Sequence, residues 1–393
     1  MKITESYRPK QHSTILVVLF VIALGLAIAA CGGSKGMNRD PLHSSARSVF
    51  VDGGNVYVVG FIAERHFDNP ATSIWQATIW KNGVPHALES NGISMAYSVC
   101  VYGGDVYVAG DDGPNAVLWK NNERQGLTNT NNGGKAQAKS VFVSNGDVYV
   151  VGHENNIAIV WKNGEVQHLT DGSKKSAANS VYVYEGDVYV AGNDGTKAVL
   201  WKNGVDQEYP APPPGYRGNY NIIAINSVFV SNGDVYATGS CDQVSYSSIG
   251  STMYRGLQRQ TIWINGEPHF SGGRESEISD VANSVFVANS GEFIVSGHVI
   301  NFWPYGYNKW PVGASMDATV WGGNKQNPNT FSLSLTTDKW AQAHSVFLSG
   351  KDQYVVGDEY FNIFTGVSDL PGVRYGYSRA VLWKNGIEQK LQY

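Results

Sequence analysis

The sequence predicts an all-β fold, a seven-bladed β-propeller made of four-stranded antiparallel blades. Three observations carry that prediction. One phrase recurs seven times along the chain, opening at Ser48, Ser98, Ser140, Ser180, Ser227, Ser284 and Ser345. Each copy holds four strand-length pieces rich in Val, Ile, Tyr, Phe and Trp, and a four-stranded unit of this length repeated around a ring is a propeller. The composition agrees: 393 residues with 16% charged, 12% aromatic and 45 Gly. Such a chain is turn-rich and globular, neither disordered nor a long helical bundle.

The first two pieces of a copy read as Ser48-Val49-Phe50-Val51 and Val56-Tyr57-Val58-Val59-Gly60. The third is an Ala/Thr-apolar-Trp phrase centred on Trp80, Trp119, Trp161, Trp201, Trp263, Trp321 and Trp383. Lys-Asn-Gly usually follows, then a short piece ending in an apolar residue such as Leu88 or Leu169. In the third copy the strands are expected at Ser140–Val143, Asp147–Val151, Ala158–Lys162 and Val166–Thr170. Asn145-Gly146 and Asn163-Gly164 supply the positive φ angles of tight hairpins. Val148 to Val151 are consecutively apolar or aromatic, so this strand is covered on both faces, as a blade between two blades must be. The seven Trp recur at one place and read as interblade core. The Ala-x-Ser opening (Ala46, Ala96, Ala138, Ala178, Ala282 and Ala343, with Ile225 in copy 5) puts small side chains on the crowded innermost strand. Asp105, Asp147, Asp187 and Asp234 begin second strands and read as turn-closing residues. His86, His168 and His269 fall at similar places after the repeated Trp, as repeat geometry alone requires. The unit resembles NHL- and kelch-type blades in strand order and HAF-like extracellular repeats in wording, which implies the fold and no ligand.

The amino end predicts export. Lys2, Arg8 and Lys10 precede an unbroken small or apolar run from Ile15 to Ala30. That run is short for a membrane span and suits a signal-peptide core. It ends Ile28-Ala29-Ala30-Cys31-Gly32, which resembles the processing site of bacterial lipoproteins. The resemblance implies that residues 1–30 are removed, that Cys31 carries the lipid, and that the chain sits in the cell envelope on the outer membrane. Residues 31–45 read as a flexible tether and 46–393 as the propeller. The formal net charge is −4, and the +2 of the leader leaves −6 on the mature chain. Nucleic-acid binding needs a basic footprint that this balance lacks. Three Cys cannot make a disulfide scaffold; Cys100 takes a Phe position on an inner strand and reads as a buried thiol.

Function is expected where the copies differ. Between the second strand's Gly and the third strand, copies 2, 3 and 4 have five residues. Copies 5 and 6 have twenty, copy 7 twenty-two and copy 1 sixteen. In a closed ring these four copies are consecutive, so their loops share half of one rim. The insertions are aromatic and arginine-rich, a composition that binding surfaces use. The candidate ligand-binding residues are Trp303, Tyr305, Tyr307, Trp310, Tyr360, Tyr375, Tyr377, Tyr254, Arg255 and Arg374. Catalytic motifs are missing: there is no HExxH and no P-loop. The lone GxSxG match, Gly32 to Gly36, falls in the tether without the strand-turn-helix setting it needs. The expectation is a monomeric, non-catalytic binding scaffold without cofactor or metal, its ligand a protein or a glycan. Two further readings are glycan recognition by the rings, and polysaccharide hydrolysis or lysis by loop carboxylates among Glu64, Asp68, Asp242, Asp317, Asp358, Glu359 and Asp369.

Overall fold

The structure is a computed structural model that describes residues 43–64, 74–128, 134–207, 209, 219–244, 258–270, 278–302, 314–328, 331–336, 340–361 and 378–392. The predicted leader, Cys31 and most of the tether lie outside the described residues. So do nine of the ten candidate ligand-binding residues, all but Tyr360.

Seven four-stranded sheets follow one another, each an antiparallel meander whose strands pair in chain order. Blade 3 shows the pattern: Ala136–Ser144, Asp147–Glu154, Ile157–Lys162 and Glu165–His168. Its inner strand begins four residues earlier than the sequence suggests, because polar Gln137 and Lys139 interrupt the apolar run. Blade 1 begins in the same way at His43, so its inner strand includes the last residues of the expected tether.

The turns follow the chemistry of Asn and Gly. Asn163 sits at φ 51° and Gly164 at φ 86°. The Asn163 side chain accepts from Val148 N and donates to Asp147, both at 2.8 Å. Lys162 pairs with the same carboxylate at 2.9 Å and lies over the Tyr149 ring. Blades 2, 4 and 7 repeat this clasp with Asp105, Asp187 and Asp352. The turn-closing role predicted for Asp105, Asp147, Asp187 and Asp234 is therefore visible in the hydrogen bonds each accepts from its turn Asn. His86 and His269 stand one rung from their blade's Trp, opposite Ile79 and Ile262. His168 sits one rung farther along.

Seven apolar clusters hold the blades together, and each draws residues from two neighbours. The repeated Trp lie in them, from 0% to 3% exposed, so they are interblade core and not seven surface sites. The seventh cluster closes the ring: Ala46, Val49, Val58 and Trp80 of blade 1 pack on Tyr354, Val356, Leu382 and Leu391 of blade 7. Polar bonds cross the same seam. Trp80 Nε1 donates to Gln392 O at 2.8 Å, and Ala380 N donates to Ser44 Oγ at 2.8 Å. Around the axis, the serine of one inner strand accepts from a valine amide of the next: Val99 N to Ser48, Val141 N to Ser98, Val181 N to Ser140. Val49 N to Ser345 continues that series across the seam. Blade 7 supplies its own outer strand, Ile387–Lys390, so closure needs no strand exchanged between the chain's ends.

Candidate functional site

Every inner strand carries a bulge at the same place, and that of blade 5 has a second between Ile222 and Ala224. The pairing register slips between the Ala (Ile225 in blade 5) and the Ser of the repeated opening. The residue between them is the extra one, lifted out of the ladder. Those seven residues are Arg47, Tyr97, Lys139, Asn179, Asn226, Asn283 and His344. Opposite each bulge stands the repeated Gly. A Cβ on Gly152 would sit 1.8 Å from Gln137 O, and on Gly357 1.8 Å from Gln342 O. The glycine is thus required by close backbone approach, and the bulge and the glycine form one device.

The bulge residues form a polar girdle around the axis. Lys139 Nζ donates to Asn179 Oδ1 at 3.0 Å. Asn179, Asn226 and Asn283 donate to Ile225 O, Ala282 O and Ala343 O of the following blades at 3.0, 2.8 and 2.8 Å. His344 Nε2 stands 3.4 Å from an Arg47 amine and 3.0 Å from Asp358 Oδ2. In the next gap, Tyr97 Oη and Gln137 Nε2 both donate to Asp111 Oδ2, at 3.0 and 2.9 Å. One step toward the other end, six rings line up tilted against one another: Phe50, Phe347, Phe286, Phe229, Tyr182 and Phe142, with centroids 4.4 to 5.0 Å apart. Cys100 takes the seventh place, 4% exposed, as the sequence suggested. Burial pushes its thiol up to about 11. The axis is lined by polar groups toward one end and by rings one step farther along.

Charge is unevenly spread at the polar end. Blades 7 and 2 contribute the carboxylates Asp358 and Asp111, on either side of Arg47 from blade 1. Burial pulls Asp358 upward, but His344, Arg47 and the Ser45 hydroxyl outweigh it and hold the carboxyl below its ordinary range. Asp111 is raised by burial, which the Gln137 and Tyr97 donors only partly offset. Blade 3 contributes Lys139, lowered by burial and then by Lys175. His153 is pushed down to about 4 by burial, Lys139 and Lys175. His298 is likewise near 4, through burial and His344. Both histidines are therefore neutral at pH 7. They follow the repeated Gly, the register position that Asp111 and Asp358 hold in blades 2 and 7. Among the described residues no group of three or more His, Cys, Asp or Glu side chains could hold a metal ion.

Tyr360, the described member of the candidate set, is half-buried at this end with its hydroxyl 3.5 Å from Asp358 Oδ2. Asp358 and Glu359 from the carboxylate reading are committed elsewhere. Asp358 accepts from Ser45 Oγ, Ala46 N and the His344 ring. Glu359, 1% exposed, pairs with Arg379, which also bonds Glu388. Neither carboxyl is free to turn toward the other. The girdle itself escapes sequence reading because a varied residue between Ala and Ser looks like repeat noise. The usable signal is that it is the one freely varying position inside a constant phrase.

The blades also differ in height. Past their glycines, the second strands of blades 2, 3 and 4 run two residues, to Asp112, Glu154 and Asp194. Those of blades 5 and 6 run five, to Val244 and Phe302. Those of blades 1 and 7 run on to Glu64 and Tyr360. These hairpins rise at the polar end of the axis, where the inner strands begin.

No family model and no curated protein matches the chain. Among solved structures it is similar to a Pyrococcus horikoshii acylaminoacyl peptidase, at 10% identity and a TM-score of 0.46 over 89% of this chain and 52% of that one. A Mycobacterium tuberculosis puromycin-hydrolyzing peptidase matches at 11% identity and 0.49, over 88% and 53%. The β-propeller domain of the Trilobed protease from Pyrococcus furiosus matches at 9% and 0.44, over 89% and 96%. The chain spans about half the length of the two peptidases.

Proposed function

We propose that the protein is a non-catalytic binding scaffold of the bacterial envelope, anchored to the outer membrane by a lipid on Cys31. Its ligand contacts lie on the long loops of blades 5, 6, 7 and 1. The observation that supports this reading is the taller hairpins of those four adjacent blades, which raise a one-sided wall beside the polar axial mouth. A ring that carries aromatic and arginine-rich loops on one half of one rim is suited to hold a partner, because Trp, Tyr and Arg are the residues that anchor interfaces. Asp358 and Glu359 at the wall are engaged in the fold, which favours binding over hydrolysis.

Two measurements test it. Cys31→Ser is expected to move the protein from the membrane fraction to the soluble fraction; retention would defeat the anchor. Replacing Trp303 and Trp310 by Ala in the full chain is expected to abolish capture of its envelope partner or glycan while the melting temperature moves by no more than about 2 °C. A large loss of stability instead would mean that those rings only cap the ring's end. Hydrolysis of a polysaccharide by the parent chain would overturn the non-catalytic reading.

A further inference from the structure

The end of the ring away from the wall carries a second feature, in the groove between blades 1 and 2. A cavity of about 270 Å³ opens there. Ile79 and Leu88 of blade 1 and Val106 and Val108 of blade 2 form its apolar walls, and the Tyr57 ring, Lys81 and His86 stand around it. The repeat explains why the space exists at this groove. Between blades 3 and 4 the corresponding gap takes the Gln167 amide, which lies 2.6 Å from where a Cβ on Gly204 would be. Blade 2 has Asn122 in place of that glycine; it lines the cavity, and its side chain accepts from Glu89 N at 3.1 Å. Blade 1 has His86 in place of the glutamine.

The repeat is also broken in charge at this groove. In blades 2, 3, 4 and 7 the lysine after the Trp lies over a tyrosine ring, 5.2 to 5.3 Å from its centroid, and pairs with an aspartate. Lys81 keeps the ring, 5.4 Å from the Tyr57 centroid. Its aspartate is replaced by Asn55, whose Oδ1 accepts from Asn82 Nδ2 at 2.9 Å. Lys81 makes no ion pair among the described residues. The ammonium is thus held at the mouth of an apolar slot without the carboxylate that four sister blades provide.

We infer that this groove is a binding site for a small organic monocarboxylate, one aromatic ring or a branched alkyl chain in size. The apolar part fills the slot between Ile79, Leu88, Val106 and Val108, and the carboxylate pairs from the cavity side with the Lys81 ammonium, whose charge no aspartate neutralises in this blade. The volume sets the size class, since ligand pockets for larger molecules run from about 300 to 1,000 Å³. The exposed ammonium makes the charge contribution modest and salt-sensitive. The site is separate from the loop wall and stands whether or not the wall binds a partner.

Phenylacetate titrated into the full chain, followed by saturation-transfer NMR, tests the assignment. Saturable binding is expected with a dissociation constant on the order of 1 mM, with the neutral phenylacetamide binding about fivefold more weakly. Lys81→Met and Asn55→Asp are each expected to weaken phenylacetate by about fivefold. Asn55→Asp restores the residue that sister blades carry, so it leaves the fold intact and isolates the charge. Val106→Trp, which fills the slot, is expected to abolish binding of both compounds. Equal affinity for acid and amide, or an N55D variant that binds as the parent does, would overturn the carboxylate site. So would an absence of saturable binding up to about 10 mM.

Discussion

Gly152 and its six counterparts show how little freedom a single position can have. The bulge beside Lys139 brings Gln137 O to where a Cβ would be, 1.8 Å away. Backbone, not a flexible side chain, is the obstacle. Gly152→Ala is therefore expected to cost roughly 3 kcal/mol or more of unfolding free energy, read by urea titration, although Ala is otherwise a mild change. The two axial aspartates make opposite predictions. Asp358 is held below its ordinary range, so its stabilising contribution is present above the unfolded value of about 3.9 and is lost as pH falls through the folded value. Asp358→Asn is expected to cost about 3–5 kcal/mol at pH 7 by breaking a buried charged network. The gap to the parent should close in acid. Asp111 is raised by burial, so its contribution is complete below about 3.9 and is lost as pH rises through the folded value. Asp111→Asn keeps an acceptor for Tyr97 and Gln137, and is expected to match or exceed the parent's stability at pH 7. Unfolding curves from pH 3 to 8 separate the two signs.

A blade is legible in the sequence because each of its strands has a separate physical reason to recur. Trp161 must fill the space between blades, Asn163 must adopt φ 51°, and Gly152 must clear a carbonyl. The Trp and Gly requirements recur in every blade and the Asn turn in all but blade 6, so the residues repeat and the ring can be read from the text. The girdle had no such signature, since Arg47, Tyr97, Lys139 and His344 share a location and no chemistry. The turn predicts its own cost. Asn163→Ala loses the bond to Val148 N and forces a Cβ residue without a capping side chain into the left-handed region. The expected loss is about 1–2 kcal/mol, measured by thermal or urea unfolding, while Asn163→Gly should lose less because glycine meets the φ without strain. The surface pairs of the clasp, such as Lys162 with Asp147, add little, so Lys162→Ala should be nearly silent in the same assay.

At the scale of the whole ring, stability is shared by seven interfaces of one kind, and the seam between blades 7 and 1 differs only in that no loop spans it. Every blade buries both faces because the ring closes; opened there, it would expose Val49, Val58 and Trp80 on one side and Tyr354 and Leu382 on the other. Burial of such side chains stabilises by roughly 1.5–3 kcal/mol each, a large share of the stability of any domain. The last strand is what secures the seam, since Leu391 packs in that cluster and Gln392 O receives the Trp80 indole proton. A chain ending at Lys384 lacks these groups and keeps all seven Trp. It is expected to lose its single cooperative thermal transition and to bind a hydrophobic dye, whereas Trp80→Phe, which removes the indole bond and part of the packing, should lower stability yet keep one transition. A truncated chain that melts sharply at the parent's temperature would mean that the ring is held elsewhere than at its seam.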